Sequence, residues 1–472
     1  MTTDNTIARR MNIFAITIPI FAENILKFFF SFADMFMLSG LSINDVHFGD
    51  SAVSAVGVVT SLVFFINIFY LMVTMGAGIV ITQYNGAKNK DGAVQAVITS
   101  IILSALLGII VSIAMVVLAK PIISLYHLNE IREKFAINYL VVYAAFSIGI
   151  AMNFIFSTIL RSYGYSKEPM FVNIAANILN VFGNYCFIYG AFGFPQWGVA
   201  GVAFSTVFSQ TLAAIFMFFL ILKKKDIDFP LNRLLKIKTK AVKEILKIGI
   251  PNGGEYLSYN IAMIVMNFFV AQMDRGLLPT EQINLPAYTY AFVFTRFVVF
   301  FGLSTGQGTQ IVTSYLVGAG EKEKAYRNVY LYFYFSFGLA LILSIIMSFF
   351  RGPILSIFPM ANNVFLLCSS LVLFSILLEP GRTFNLIFIS GLKGAGDVDF
   401  PVKMGIVSMW GIGIVFAFLF GIVFKLGVVG IWLGISMDEW TRGIIMFFRW
   451  KSKIWQKKIV INAQTQVVQE IV

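Results

Sequence analysis

Apolar residues run along this chain in blocks of twenty or more, broken at intervals by short clusters of Lys, Arg, Asp, Glu, Gly and Pro. Block length is the decisive feature, because about 20 apolar residues in a helix cross the hydrocarbon layer of a bilayer. Reading each block between its polar boundaries predicts spans near 12–39, 52–84, 93–119, 136–160, 170–190, 199–222, 245–272, 284–316, 326–350, 364–390, 402–424 and 427–448. The pattern is that of an all-α integral membrane protein with twelve transmembrane helices. The first block has no small-residue cleavage site near Met1, so it is expected to be a retained span rather than a signal peptide.

Polar residues inside these blocks mark the chemistry. The first, residues 11–40, carries Pro19, Glu23, Lys27 and Asp34 among Ile, Phe, Leu and Met. A central Asp or Lys in a span costs roughly 2.5–3.5 kcal/mol on insertion scales, so Asp34 reads as a functional group facing protein or water. Pro19 removes a backbone hydrogen bond and permits bending, which makes it a candidate hinge.

Composition agrees and charge adds direction. Only 12% of the 472 residues are charged, against about 25% in soluble domains. The formal charge of +12 is not a nucleic-acid footprint. Its Lys and Arg cluster at the termini and in alternate loops, including the basic stretch 223–247, which predicts both termini in the cytoplasm of a multi-pass protein of the plasma membrane. Cys186 and Cys368 fall within separate spans and His47 and His127 in loops, so neither a disulfide framework nor a metal site is expected.

The chain also repeats itself. Pro19 and Glu23 recur 232 residues later as Pro251 and Glu255. At the same offset stand Gly76 and Gly308, Gly86-Ala87 and Gly318-Ala319, Leu160-Arg161 and Leu392-Lys393, Gly164 and Gly396, and Pro169 and Pro401. Beyond the fifth span the offset is 229, pairing Gly198 and Gly201 with Gly427 and Gly430. Ordered matches over most of the chain predict two homologous six-helix bundles. Six crossings are even, so the halves enter from the same side and are expected to be related by a pseudo-two-fold axis along the membrane normal. The predicted organisation is an N-terminal lobe 1–222, a cytoplasmic linker 223–247, a C-terminal lobe 248–450 and a cytoplasmic tail 451–472. Pro251 is the second candidate hinge. The glycine- and proline-bearing loops are expected to set turn geometry rather than to contact substrate.

Three constellations stand out. Asn173, Asn177, Asn180 and Asn184 recur at helical spacing and line one face of the fifth span. Together with Asn153 on the preceding helix they are expected to form a polar pocket with Asp34, the alternative being interhelical hydrogen bonds at about 0.6 kcal/mol each. Glu23 and Lys27, four apart, can pair along one helical face. Glu255 has no lysine four residues on, so a carboxylate kept in both halves one turn after proline is expected to face a central cavity and attract cationic substrate. The second half alone carries Glu379 and Arg382, then Asp438, Glu439 and Arg442. These form either a buried salt-bridge network or a second cation site. Aromatic side chains, 16% of the chain, supply lipid-facing and stacking surfaces.

The Pro19/Asp34 helix, TMGAGIVITQYNGAKNKDGA, ILRSYGYSKEPMFVNIAANILN, GVAGVAFSTVFSQ and their second-half counterparts resemble the multidrug and toxic compound extrusion (MATE) transporters over residues 11 to 450. The resemblance implies twelve helices in two lobes, a central cavity, and export of amphipathic, often cationic compounds by alternating access, driven by Na+ or H+ entry. In one branch a first-helix Asp, here Asp34, binds the coupling ion beside an Asn-x-x-Asn-x-x-x-Asp motif. The motif here is Asn177, Asn180 and then Asn184, so its final carboxylate is replaced by an amide. Other branches use carboxylates on the seventh and tenth helices, where this chain has Glu255 and Glu379.

No cofactor beyond the coupling ion, no metal beyond Na+ and a monomeric state are expected. There is no GxxxxGK[ST] loop for ATP and no nucleophile–base set, so neither a primary pump nor an enzyme is indicated. A flippase for lipid-linked sugars is the alternative. Its polyanionic cargo calls for a cationic cavity, whereas acids within the spans (Glu23, Asp34, Glu255, Glu379, Asp438, Glu439) outnumber bases (Lys27, Arg296, Arg382, Arg442).

Overall fold

The computed structural model describes residues 3–43, 46–229, 238–278, 281–358 and 360–461. Residues 230–237 of the basic linker and 462–472 of the tail lie outside the described residues, as does the side chain of His47. A short helix, Thr3–Arg10, precedes α1, Ile13–Ser39. Then follow α2 Gly49–Gly86, α3 Lys90–Ser124, α4 in two limbs Glu130–Ala145 and Ile148–Ser162, α5 Lys167–Tyr189 and α6 Val199–Lys223. The second half supplies α7 Thr239–Met273, α8 Asn284–Gly318, α9 Lys322–Phe349, α10 Asn362–Gly394, α11 Asp399–Val423 and α12 Gly427–Lys451. A two-residue antiparallel pairing of Ser42–Ile43 with Val46–His47 joins α1 to α2.

Ten of these helices are long and apolar enough to cross a membrane, and the bent pair of α4 makes an eleventh. The twelfth, α12, is a continuous helix whose apolar run carries Asp438, Glu439 and Arg442, all buried. Three helices, α1, α3 and α4, begin at an asparagine that caps free N–H groups. Asn12, Asn89 and Asn129 accept through their side chains from the N–H groups of Phe14, Gly92 and Arg132. One pair of turns places a left-handed glycine at matching positions of the repeat: Gly164 has φ +80° and Gly396 φ +96°.

The 50° bend within α4 does not register in hydropathy, which is continuous across Ala145 and Ile148. A break frees carbonyl groups, and in a membrane these need partners. Ser112 Oγ of α3 donates to the carbonyl oxygens of Ala144 and Ala145 at 2.6 and 3.1 Å, and the buried Ser147 bonds Tyr70 Oη at 2.7 Å.

The chain divides into two compact units, 1–253 and 254–472. The first has its core among Val59, Ile66, Tyr70, Leu140, Ile150 and Val207. The second packs Met266, Tyr288, Leu371, Trp432 and Ile435. The division falls inside α7 rather than in the linker, because the start of α7 lies on α2. A Cβ on Gly76 would stand 2.1 Å from the Ile245 carbonyl oxygen, and one on Gly249 2.2 Å from that of Met72. Backbones approach this closely only through glycine. Tyr84 Oη closes the crossing by donating to Glu244 Oε2 at 2.9 Å.

In the second unit α12 lies equally close to α11. A Cβ on Gly430 or Gly434 would meet the backbone of Phe420 or Ala417 at 2.4 Å. Here α11 carries two π-helical stretches, Met409–Ile414 and Leu419–Val423.

Candidate functional site

The intramembrane carboxylates divide by partner. Asp34, in the last two turns of α1, faces α5. Asn184 Nδ2 donates to its Oδ1 at 2.7 Å. The Asn180 amide satisfies its surroundings when its nitrogen also points to Asp34 Oδ1, at 3.2 Å, and its oxygen accepts from Thr206 Oγ1 at 3.1 Å. Among the described residues no Lys or Arg lies within ion-pair distance of Asp34.

Glu23, three turns earlier, is in the opposite situation. Its carboxylate receives Lys27 Nζ at 2.8 Å, an Arg161 terminal nitrogen at 2.6 Å and Asn173 Nδ2 at 2.8 Å. Asn173 Oδ1 in turn accepts from Asn153 Nδ2 at 3.1 Å, and Asn153 also donates to Gln210. The asparagine stripe therefore serves two groups rather than one pocket. Asn180 and Asn184 belong to Asp34, whereas Asn153 and Asn173 belong to Glu23. A stripe of this length rises about 16 Å along the helix, too far for one carboxylate to gather. Asn177 stands between the two groups, its amide nitrogen buried without a partner.

In the second unit, Lys393 Nζ lies 2.5 Å from Glu255 Oε2. The expectation of an open carboxylate there is thus revised. The cation comes from α10 rather than from the next turn of α7. The signal was in the sequence: Arg161 and Lys393 are repeat partners, as are Glu23 and Glu255. Each half carries the same ion pair.

The remaining carboxylates, Glu379, Asp438 and Glu439, form one network with Arg382 and Arg442 across α10 and α12. Arg382 pairs with Glu379 at 2.8 Å and Glu439 at 3.3 Å. Arg442 pairs with Asp438 at 2.6 Å and Glu439 at 3.2 Å. Asn385 Nδ2 donates to Glu439 at 2.9 Å and Ser408 Oγ to Asp438 at 2.7 Å. Three carboxylates face two guanidinium groups, all buried. Asn385 and Glu439 occupy the repeat positions of Asn153 and Gln210, so this bridge between helices also exists in both halves.

Pro19 and Pro251 sit inside continuous helices. Both cysteines are buried and unbridged. Among the described residues no group of three or more His, Cys, Asp or Glu is arranged to hold a metal ion.

Known proteins are similar to this chain over most of its length. The chain is 35% identical over 450 residues to "Uncharacterized transporter YisQ" of Bacillus subtilis, covering 95% of this chain and 96% of that protein. It is 26% identical over 461 residues to "Probable multidrug resistance protein NorM" of Thermotoga maritima, covering 96% and 95%. A solved MATE structure in the bent conformation superposes with a TM-score of 0.84 at 22% identity, over 95% of this chain and 97% of that one, and so speaks for the fold. The MatE family model matches twice, over residues 19–186 and 251–419, starting each time at one of the two repeat prolines. With both halves matched and the fold shared, the chain belongs to the MATE family of multidrug efflux transporters, multi-pass proteins of the membrane.

Proposed function

We propose that this protein is a secondary active antiporter, exporting amphipathic, mainly cationic compounds in exchange for Na+ or H+ and carrying out no covalent chemistry. The observation that carries the reading is the isolation of Asp34. Of the six carboxylates within the spans, Glu23, Glu255, Glu379, Asp438 and Glu439 are each held by Lys or Arg at 3.3 Å or less. Asp34 is held by amides alone.

A carboxylate at membrane depth without a counter-ion is costly unless a proton or cation completes it. The amides of Asn180 and Asn184 fix its orientation without neutralising it, and the Asn184 oxygen, buried without a hydrogen-bond partner, remains available to a small cation. Arrival and departure of that charge would change the stability of α1 against α5. A ligand shifts a conformational equilibrium only by its differential affinity for the two states, and an unneutralised Asp34 supplies one. Pro19 and Pro251 are the bending points in this reading, and the single chain is the transport unit. The distribution of Lys and Arg supports placing both termini in the cytoplasm of the cell membrane.

The test is ethidium efflux from proteoliposomes under an imposed Na+ gradient and, separately, an imposed pH gradient. One gradient should accelerate efflux in the wild type and fail to do so in Asp34→Asn. Efflux indifferent to both gradients would overturn the antiport reading.

A further inference from the structure

The approach to α1, the start of α5 and the end of α6 are tied into one knot. Arg10, which closes the short N-terminal helix, pairs with Asp226 at 2.5 Å. Tyr165, in the turn before α5, donates from its hydroxyl to the same carboxylate at 2.7 Å. Arg10 Cζ and Lys224 Nζ each stand 4.0 Å from the centre of the Tyr165 ring, and Lys224 pairs with Glu168 at 2.7 Å. The turn admits Arg10 because residue 164 is glycine: a Cβ there would lie 2.7 Å from that of Arg10. Two cations meet two carboxylates, so the knot is neutral by itself.

Four further cations surround it. Arg9 adjoins Arg10, Lys167 adjoins Glu168, and Lys223 and Lys225 flank Lys224. All four are exposed, and among the described residues none of them has an ion-pair partner. The internal duplication shows that this excess is not a general feature of the fold. At the positions corresponding to Lys167, Lys223 and Lys225 the second half has Asp399, Ser452 and Ile454.

Next to the charges, the same helices turn apolar side chains outward. Phe171 follows Lys167 by one turn and Phe219 precedes Lys223 by one turn, while Phe14 and Ile18 stand at the start of α1. They are exposed by 63, 56, 48 and 61%, respectively. Cations without partners at the end of a span, set above an apolar outer face, match a molecule with an anionic head and hydrocarbon tails. A free anion would use the charge and leave the apolar face unexplained.

We propose that this corner binds the phosphate headgroup of an anionic phospholipid, with its acyl chains along Phe171 and Phe219. Such a lipid joins the start of α1, the helix that carries Pro19 and Asp34, to α5 and α6. The cytoplasmic placement of the termini proposed above decides only which leaflet supplies it.

Binding of fluorescent phosphatidylglycerol and phosphatidylcholine to the purified full-length protein in detergent tests it, with glycerophosphate as a soluble competitor. Two triple variants are compared with the wild type. One is Lys167→Gln/Lys223→Gln/Lys225→Gln. The other, Lys451→Gln/Lys457→Gln/Lys458→Gln, removes the same charge from exposed positions at the end of the second half. The wild type should prefer phosphatidylglycerol, the first variant should lose that preference by about tenfold or more, and the second should keep it. Equal binding of the two lipids to the wild type, an equal loss in both variants, or displacement of the lipid by glycerophosphate overturns the proposal. Binding is read without transport, so a wild type that fails in gradient-driven efflux yet prefers phosphatidylglycerol counts against the exporter reading alone.

Discussion

Lys393 Nζ and the Glu255 carboxylate meet at 2.5 Å, linking α10 to α7, and the same link joins Arg161 to Glu23 in the first half. Both members of each pair are largely buried, so removing one strands a charge at membrane depth. Glu255→Gln is expected to cost about 3 kcal/mol and to lower the melting temperature in detergent, whereas Glu255→Gln combined with Lys393→Met should recover most of the loss. Thermal unfolding of the three variants decides it, since a purely substrate-attracting Glu255 would leave the melting temperature where it is.

Asp34→Asn keeps the size of the side chain and the bond from Asn184, so the protein should fold with unchanged helicity by circular dichroism. Gradient-driven efflux should fall by about 5- to 150-fold, the usual range of a coupling free energy. Asn184→Ala is expected to produce a smaller loss, because it removes the amide that orients the carboxylate and leaves the carboxylate in place. Efflux assays of the two variants at matched expression rank the roles.

The α2–α7 crossing makes a matched prediction. Gly249→Ala would drive its methyl group into the Met72 carbonyl oxygen 2.2 Å away, whereas nothing lies within 4 Å of a Cβ on Gly254. The first substitution should destabilise by about 1–3 kcal/mol. The second should stabilise by up to about 1 kcal/mol through helix propensity alone. Denaturation midpoints of the two alanine variants should move in opposite directions.

Arg442 holds Asp438 and Glu439 apart from mutual repulsion. Arg442→Met should cost about 3–5 kcal/mol, expressed as poor yield of folded protein. Adding Asp438→Asn should recover part of it. Fluorescence size-exclusion profiles of the fused protein provide the measurement.

The element pattern was legible because lipid imposes one requirement on every crossing. The predicted span 12–39 is α1, 13–39, and 427–448 is the core of α12. What hydropathy could not show was the break in α4. That break depends on Ser112 reaching carbonyls 32 and 33 residues away in sequence. Asp34 and the asparagine face were legible as residues, but their division between two carboxylates follows from the rise of α5. Lys27 is legible as a partner of Glu23 from its spacing, whereas Arg161 and Lys393 pair with Glu23 and Glu255 from far along the chain. Their separation of 138 residues has no local signature, and only the equality of the two offsets links them. Asn153–Gln210 and Asn385–Glu439 follow the same logic. In a duplicated chain, two residues that each recur at one offset are candidates to touch.

Residues 239–253 of α7 belong to the first compact unit and the remainder of the same helix to the second. The duplication has therefore lost its seam. Severing the chain in the basic linker would not return two self-sufficient ancestors. One fragment would expose the groove of Gly76, and the other would begin with the half-helix that fills it. Neither product could mature without its twin.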